Sequence, residues 1–420
     1  MLVLMTIGVL FIYSSGVNSS GVLVSREYVY QIVWIGTALV LYFLLQIPKY
    51  SSIEKAALRI YLFNILLLLI TLSFGREVNG ARSWLGFFGF GIQASEFMKI
   101  SLILMLASYF HNRKKEISRP STFYAALGLT LLPMILVLLQ PDMGTAMVYI
   151  PVFLAMAFIA GVNRKLLLLL LSFGLLTVAF TISPVLGKYI FQQDLRVLEL
   201  FDNQLLLSLS SAVFIGTALL SLLSYRFTKK YYFILIAVLL ATAGLALFSS
   251  FFLRRMLKDY QIMRLIVFIR PEVDPQGSGW NIIQSLTAVG SGGLWGKGFL
   301  QGTQSHYRFL PQQSTDFIFS ILAEEWGFAG VLLILFFFLA ILVRGFFILL
   351  HAGDDFGVFM GTGVLFLLFF HLVINIGMAI GIMPITGIPL FFLSYGGSSL
   401  WTATIGLALI QNIYLKRYKY

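Results

Sequence analysis

The stretch "FLPQQSTDFIFSILAEEWGFAGVLLILFFFLAILVRGFFILL", Phe309 to Leu350, places three carboxylates at the head of one long apolar run. Asp316 stands at its mouth, and Glu324 and Glu325 lie about two helical turns deeper. A bilayer-crossing helix needs about 20 apolar residues, because each backbone polar group must be satisfied within the segment. The run from Phe317 to Leu350 meets that requirement with length left over to tilt or to extend beyond a membrane.

The rest of the chain agrees. Of its 420 residues, 59% are hydrophobic and 11% charged, and the mean hydropathy is +0.92. Such a balance belongs to a polytopic membrane protein, and no stretch is polar enough for a separate soluble domain. The absence of cysteine excludes disulfides, zinc thiolates and thiol nucleophiles. Residues 1–17 have no basic leader and no clear cleavage site, so they read as a first transmembrane helix at the short limit, or as a chain whose true start lies earlier. The expected fold is a single all-α integral membrane domain over 1–420 with about 12 transmembrane helices. The spans fall near 2–17, 28–46, 57–74, 95–110, 121–139, 144–161, 166–186, 205–224, 231–252, 317–350, 357–382 and 398–414.

The net charge of +12 is an orientation signal. With the N-terminus inside, the inner segments carry sixteen Lys and Arg, among them Lys49, Arg113, Lys229, Lys416, Arg417 and Lys419. The short outer loops carry five: Arg26, Arg76, Arg82, Lys188 and Arg196. Both termini are therefore expected in the cytoplasm, and no nucleic-acid partner is expected. Segments 75–94, 140–143, 253–316 and 383–397 then face outward, with 253–316 as a large extracytoplasmic loop. They are rich in Gly, aromatics, Gln and Ser, so binding or chemistry is expected there.

Two readings of Asp316 are open. It can cap the following helix, whose first turn offers unpaired N–H groups, or it can serve as a general base in a partly dry cavity. Glu324 and Glu325 read as partners in structural ion pairs, since an unpaired carboxylate at membrane depth is expensive. Glu96 and Lys99, at i and i+3, either neutralise each other on one helix face or place Lys99 in an anion-binding cavity. Asp142 in "QPDMGT" reads as a helix cap. Arg82, Trp84, Lys297, His306 and Arg308 add cations and aromatics to the same outer face, which suits a ligand with phosphate and sugar character. "GSGGLWGKGF" fails as a phosphate loop: Ser291 occupies its first glycine position and Gly298 follows its lysine. His371 and Asn375, at i and i+4, read as an interhelical polar contact.

The outer segments "ARSWLGFFGFGIQASEFMKI", "QPDMGTAMV", "RPEVDPQGSGWNIIQSLTAVGSGGLWGKGF", "LPQQSTDFIFSILAEEWGFAG" and "GIMPITGIPLFFLSYGGSS" resemble, in this order, the signature segments of the RodA/FtsW/SpoVE (SEDS) family. "GTQSHYRFLPQQSTDF" looks closest to its RodA branch. The resemblance covers nearly the whole chain. It implies a peptidoglycan glycosyltransferase of the bacterial cytoplasmic membrane that polymerises lipid II on the outer face, beside a class B penicillin-binding protein that crosslinks the strands. It implies Asp316 as the catalytic residue, with Glu96, Lys99, Trp84 and Asp142 lining or supporting the outer cavity. The family has ten spans, so residues 190–253 read as a two-helix insertion. The implied reaction inverts the anomeric centre as polyprenyl diphosphate leaves, with Lys99, Arg82 and Lys297 offsetting its charge. No cofactor is fixed; a divalent cation, Mg2+ or Mn2+, is open as a clamp on the phosphates. A lipid II flippase and a noncatalytic scaffold are the alternatives. The RodA-like phrasing favours elongation over division or sporulation.

Overall fold

The computed structural model describes residues 1–48, 50–78, 81–87, 90–186, 204–257 and 259–416. Of the residues used to orient the chain, Lys49, Lys188, Arg196, Arg417 and Lys419 lie outside the described residues, as do residues 190–203 of the expected insertion. The chain forms two compact units, Met1–Asn163 with Trp280–Tyr420, and Arg164–Gly279.

The first unit opens with α1 (Leu2–Ser15), α2 (Glu27–Leu44) and α3 (Tyr50–Phe74). The 75–94 segment is a three-stranded antiparallel sheet, β1 (Arg76–Val78), β2 (Ala81–Phe87) and β3 (Phe90–Gln93), in sequence order. Helices α4 (Ala94–Asn112), α5 (Pro120–Leu139) and α6 (Met143–Ala160) follow. The second unit holds α7 (Arg164–Leu186), α8 (Gln204–Thr228), α9 (Tyr232–Met256) and α10 (Asp259–Ile269). Within it α9 packs on α8 and α7, and the Ser211 hydroxyl donates to the Gly244 carbonyl at 2.8 Å. The boundary falls in the first turn of α11 (Ser278–Ser291), after which the first unit resumes with α12 (Thr303–His306), α13 (Ile318–Leu350), α14 (Asp355–Ala379) and α15 (Gly397–Lys416). The 253–316 segment, expected as one long loop, thus contains helices of its own.

Among the described residues nine helices are long and apolar enough to cross a membrane: α2, α3, α5, α6, α7, α8, α9, α13 and α14. The other three expected spans are also helical. However, α1 is short, and α4 and α15 carry more polar residues, including Glu96, Lys99, Thr402, Thr404 and Asn412. The distribution of polarity differs from that of a soluble protein: apolar side chains cover the exterior of the helices as well as filling the core. Leu332, Phe336, Leu339, Val343, Phe346 and Leu350 follow one another at three- and four-residue spacing along α13, and all are exposed. Gln31, Glu324, Glu325, Asn375, Thr402 and Asn412 are wholly buried. Apolar side chains on the exterior, with polar groups withdrawn into the interior, are what a hydrocarbon surrounding selects.

The opening stretch is not one continuous helix. It breaks at Gly327, whose φ of 63° and ψ of −163° lie in a region essentially reserved for glycine. A break leaves backbone groups unpaired, and the "GSGGLWGKGF" loop satisfies them. Lys297 and Gly298 N–H donate to the Glu324 and Glu325 carbonyls, both at 3.0 Å, while Phe328 and Ala329 N–H donate to the Gly293 and Leu294 carbonyls at 2.9 and 3.0 Å. A Cβ on Gly296 would stand 2.1 Å from the Glu325 carbonyl oxygen. These glycines therefore admit the helix backbone; they do not form a phosphate cradle. Gly327→Ala would place a Cβ 2.2 Å from the Gly296 nitrogen. Strain at such a backbone position alone costs about 1–3 kcal/mol. We expect a clear fall in the thermal midpoint of the detergent-solubilised protein, or loss of folded protein; an unchanged midpoint would count against this packing.

Candidate active site

Asp316 sits on a turn immediately before α13. The Gln312 carbonyl accepts the Thr315, Asp316 and Phe317 N–H groups at 3.3, 3.1 and 3.5 Å, with Gln312 itself at a φ of 50°. The cap position of α13 falls on Phe317, whose side chain makes no capping bond, and not on Thr315 or Asp316. The turn is held from outside by three successive carbonyls. Tyr395 N–H donates to Ser314 O at 2.8 Å, the Ser394 hydroxyl to Thr315 O at 2.6 Å, and the Asn375 amide to Asp316 O at 2.9 Å. Asp316 is only partly exposed, between buried Ser314 and buried Phe317. The Tyr395 phenol is pushed above its ordinary value by burial, with the Glu27 carboxylate adding to the shift.

The "LSYGG" turn that grips the Asp316 turn is fastened in its own right. Gln31, wholly buried in α2, donates from its amide nitrogen to Ser394 O at 3.2 Å and accepts Gly396 N–H at 3.2 Å. Phe392 adopts a φ of 68° while buried at 1% exposure, a strained position of the kind that collects around functional sites. Gln31 and Ser394 did not figure in the sequence reading. The signal for Gln31 was present, as an amide well inside an apolar span.

Glu96 and Lys99 form the ion pair their spacing suggested, at 2.6 Å, and both are nearly wholly buried. The Lys99 ammonium also meets His371 Nε2 at 3.1 Å. His371 Nδ1 lies 3.0 Å from the Pro389 carbonyl, which can only accept. Nδ1 must therefore carry the hydrogen, and Nε2 accepts from the lysine. The imidazole stacks on Phe391 at 3.8 Å and 15°. In this arrangement Lys99 serves Glu96 and His371, and its head group is not presented to an outer ligand. Glu96 Oε2 is buried with no hydrogen-bond partner among the described residues.

Asp142 caps α6, accepting Thr145 N–H at 3.1 Å. It also accepts from the Gln93 amide at 2.7 Å and the Ser95 hydroxyl at 3.2 Å, so it fixes the start of the helix that carries Glu96 and Lys99. Glu324 takes the Lys297 ammonium at 2.7 Å and the Thr303 and Gln304 N–H groups at 2.9 and 3.1 Å, capping α12 from outside. Glu325 accepts from the Ser14 hydroxyl of α1 and from Leu300 N–H at 3.2 Å, with His306 Nε2 at 3.7 Å. The two glutamates thus have the structural role expected of them, and Lys297 and buried His306 belong to it. Trp84, on β2, lies half-buried over Gly91 of β3. Arg82, on β2, and Arg308, at a φ of 58°, are exposed. Among the described residues no group of three or more His, Asp or Glu side chains could hold a metal ion. A divalent cation here would have to bind chiefly to substrate phosphates with one or two carboxylates, a mode Mg2+ commonly uses.

Comparison with known proteins identifies the family and the fold. The FtsW/RodA/SpoVE family model, described as "cell cycle protein", matches residues 1–205 and 204–419. The peptidoglycan glycosyltransferase RodA of Treponema pallidum is 46% identical over 413 residues, covering 98% of this chain and 95% of that protein. The peptidoglycan glycosyltransferase MrdB of Escherichia coli K12 is 32% identical, covering 89% and 81%. Among solved structures, a chain from a peptidoglycan synthase complex that coordinates polymerization and crosslinking superposes with a TM-score of 0.68 at 27% identity, over 100% of this chain and 98% of the other. The rod shape determining protein RodA of Thermus thermophilus superposes with a TM-score of 0.61 at 25% identity, over 99% and 95%.

Proposed function

Because this chain belongs to the FtsW/RodA/SpoVE family of cell cycle proteins, we propose that it is a multi-pass membrane peptidoglycan glycosyltransferase whose general base is Asp316. The reaction joins lipid II units on the outer face of the cytoplasmic membrane. The acceptor hydroxyl attacks the anomeric carbon of the donor, its proton passes to the Asp316 carboxylate, and the polyprenyl diphosphate leaves from the opposite face with inversion. A diphosphate is a good leaving group and needs its charge offset more than it needs a proton. Of the cations singled out on the outer face, Arg82 and Arg308 are exposed, whereas Lys99 and Lys297 are engaged with Glu96 and Glu324. A divalent cation, where one takes part, would add charge on the phosphates.

The observation that carries this reading is the Asp316 turn: a partly exposed carboxylate on a backbone held at three consecutive carbonyls. Such fixation is what acid–base catalysis asks of its base. A penicillin-binding protein partner is supported by the likeness to a synthase-complex chain, and a role in elongation by the similarity to RodA proteins.

The purified protein, with and without a class B penicillin-binding protein, should convert lipid II in detergent to long glycan strands. Movement of lipid II across sealed vesicles without polymer would favour the flippase reading, and absence of both activities the scaffold. A parallel titration with Mg2+ and Mn2+ tests the metal. If a cation only screens the leaving diphosphate, the rate should rise with either ion in wild type while Asp316→Asn stays inactive at every concentration.

A further inference from the structure

We propose that Asn375 is a positioning residue for Asp316, an inference that rests on Asp316 being the base. Asn375 lies on α14, wholly buried. Its amide nitrogen donates at once to Asp316 O at 2.9 Å and to Ile388 O at 2.8 Å. Both partners are carbonyls and can only accept, so the NH2 end of the amide must face them and the orientation of the side chain is settled. Its Oδ1 is buried without a hydrogen-bond partner among the described residues. A side chain that satisfies two backbone acceptors while leaving its own acceptor unpaired is placed there for its donors. An aspartate of the same shape would set a carboxylate against two carbonyls.

The position of this contact gives it consequence. Thr315 O and Asp316 O are the two carbonyls just before Phe317, the cap of α13, and both are held by side chains from elsewhere in the fold. Asn375 therefore fixes the peptide that follows the reacting side chain, and it does so from a helix interior and not from a loop. One helical turn earlier on α14, His371 receives Lys99 and donates to Pro389 O. The two residues together bind the 388–389 backbone to α14 through Ile388 and Pro389. Asp316 and the Glu96–Lys99 pair are thereby referred to the same rigid helix. Without the amide, the Asp316 peptide loses the anchor to α14 that this bond provides, and a displacement of about 1 Å in a reacting group is enough to lower a rate about 100-fold.

Asn375→Asp and Asn375→Ala, each assayed as full-length protein with lipid II, provide the test, with Asp316→Asn prepared alongside. We expect kcat to fall about 10- to 100-fold while KM stays near wild type, because the defect lies in the placement of the base and not in substrate binding; the thermal midpoint falls as well, since two buried carbonyls lose their donor, and the assay is run well below it. Two variants are needed because the truncation and the isosteric change perturb packing differently. The inference is overturned if both variants keep kcat within about threefold of wild type. It is also overturned if kcat and KM deteriorate together well below the midpoint, or if neither variant folds, since Asn375 would then be part of the scaffold alone. Normal polymerisation by Asp316→Asn would instead remove the assignment of the base, and this inference with it. An inactive Asp316→Asn beside unaffected Asn375 variants removes this inference only.

Discussion

An Asp316→Asn protein is expected to insert and fold like wild type and to polymerise lipid II at a rate lower by about 100- to 10,000-fold, the range general-base catalysis contributes. The substitution keeps the shape of the side chain and leaves intact the backbone bonds that hold the turn, since those involve the Gln312, Ser314, Thr315 and Asp316 main chain. What is lost is the negative charge, and with it the capacity to take a proton. The thermal midpoint and the association with a penicillin-binding protein partner should therefore be unchanged, which separates a chemical defect from an architectural one. Strand synthesis at the wild-type rate by a folded Asp316→Asn protein would refute the base assignment.

Breaking the Glu96–Lys99 pair should have the second largest effect, and on a different quantity. Both groups are nearly fully buried, so Lys99→Met strands a carboxylate that already has one oxygen without a partner. Removing one member of a buried pair costs about 3–5 kcal/mol, because an uncompensated charge remains in a weakly polar interior. His371 loses its donor at the same time. Lys99→Met is expected to lower the thermal midpoint strongly and to reduce folded yield. Lys99→Met with Glu96→Gln should recover much of that loss, as replacing both charges removes the imbalance. The recovered double variant then decides between the two readings of Lys99. Activity close to wild type assigns the pair to architecture; a stable but inactive double variant assigns Lys99 to the charge of the departing diphosphate. A double variant no more stable than Lys99→Met would show that the pair is not what holds these helices.

How much of the site was legible in advance depended on sequence distance. The i, i+3 pair of Glu96 and Lys99 and the cap at Asp142 are local, and the structure contains both. The third party to the pair, His371, is 272 residues away from Lys99. No periodicity joins them, although the polar i, i+4 spacing of His371 and Asn375 marked that face of α14 as one needing partners. The cap position assigned to α13 is Phe317, one residue beyond Asp316. A turn closed on Gln312 intervenes where the sequence offered a helix start. Lys297 and His306, read as ligand-binding or supporting residues on an outer loop, lie beside Glu324 and Glu325. Loop residues look available until the buried carboxylates they serve are located.

The sequence by itself determined that this chain is a multi-helix membrane protein and, through its motifs, to which family it belongs. Both follow from short-range facts, the length of apolar runs and the identity of neighbouring residues, which hydrocarbon and backbone hydrogen bonding translate directly into helices. Tertiary structure alone decided where the first half of the long apolar stretch ends, at Gly327, and which loop repairs the break. It alone decided that the carbonyls flanking Asp316 are gripped by Asn375, Ser394 and Tyr395. Those contacts span 59 to 81 residues of chain, and a buried polar group is committed to a partner only when packing has removed water and brought that partner within reach.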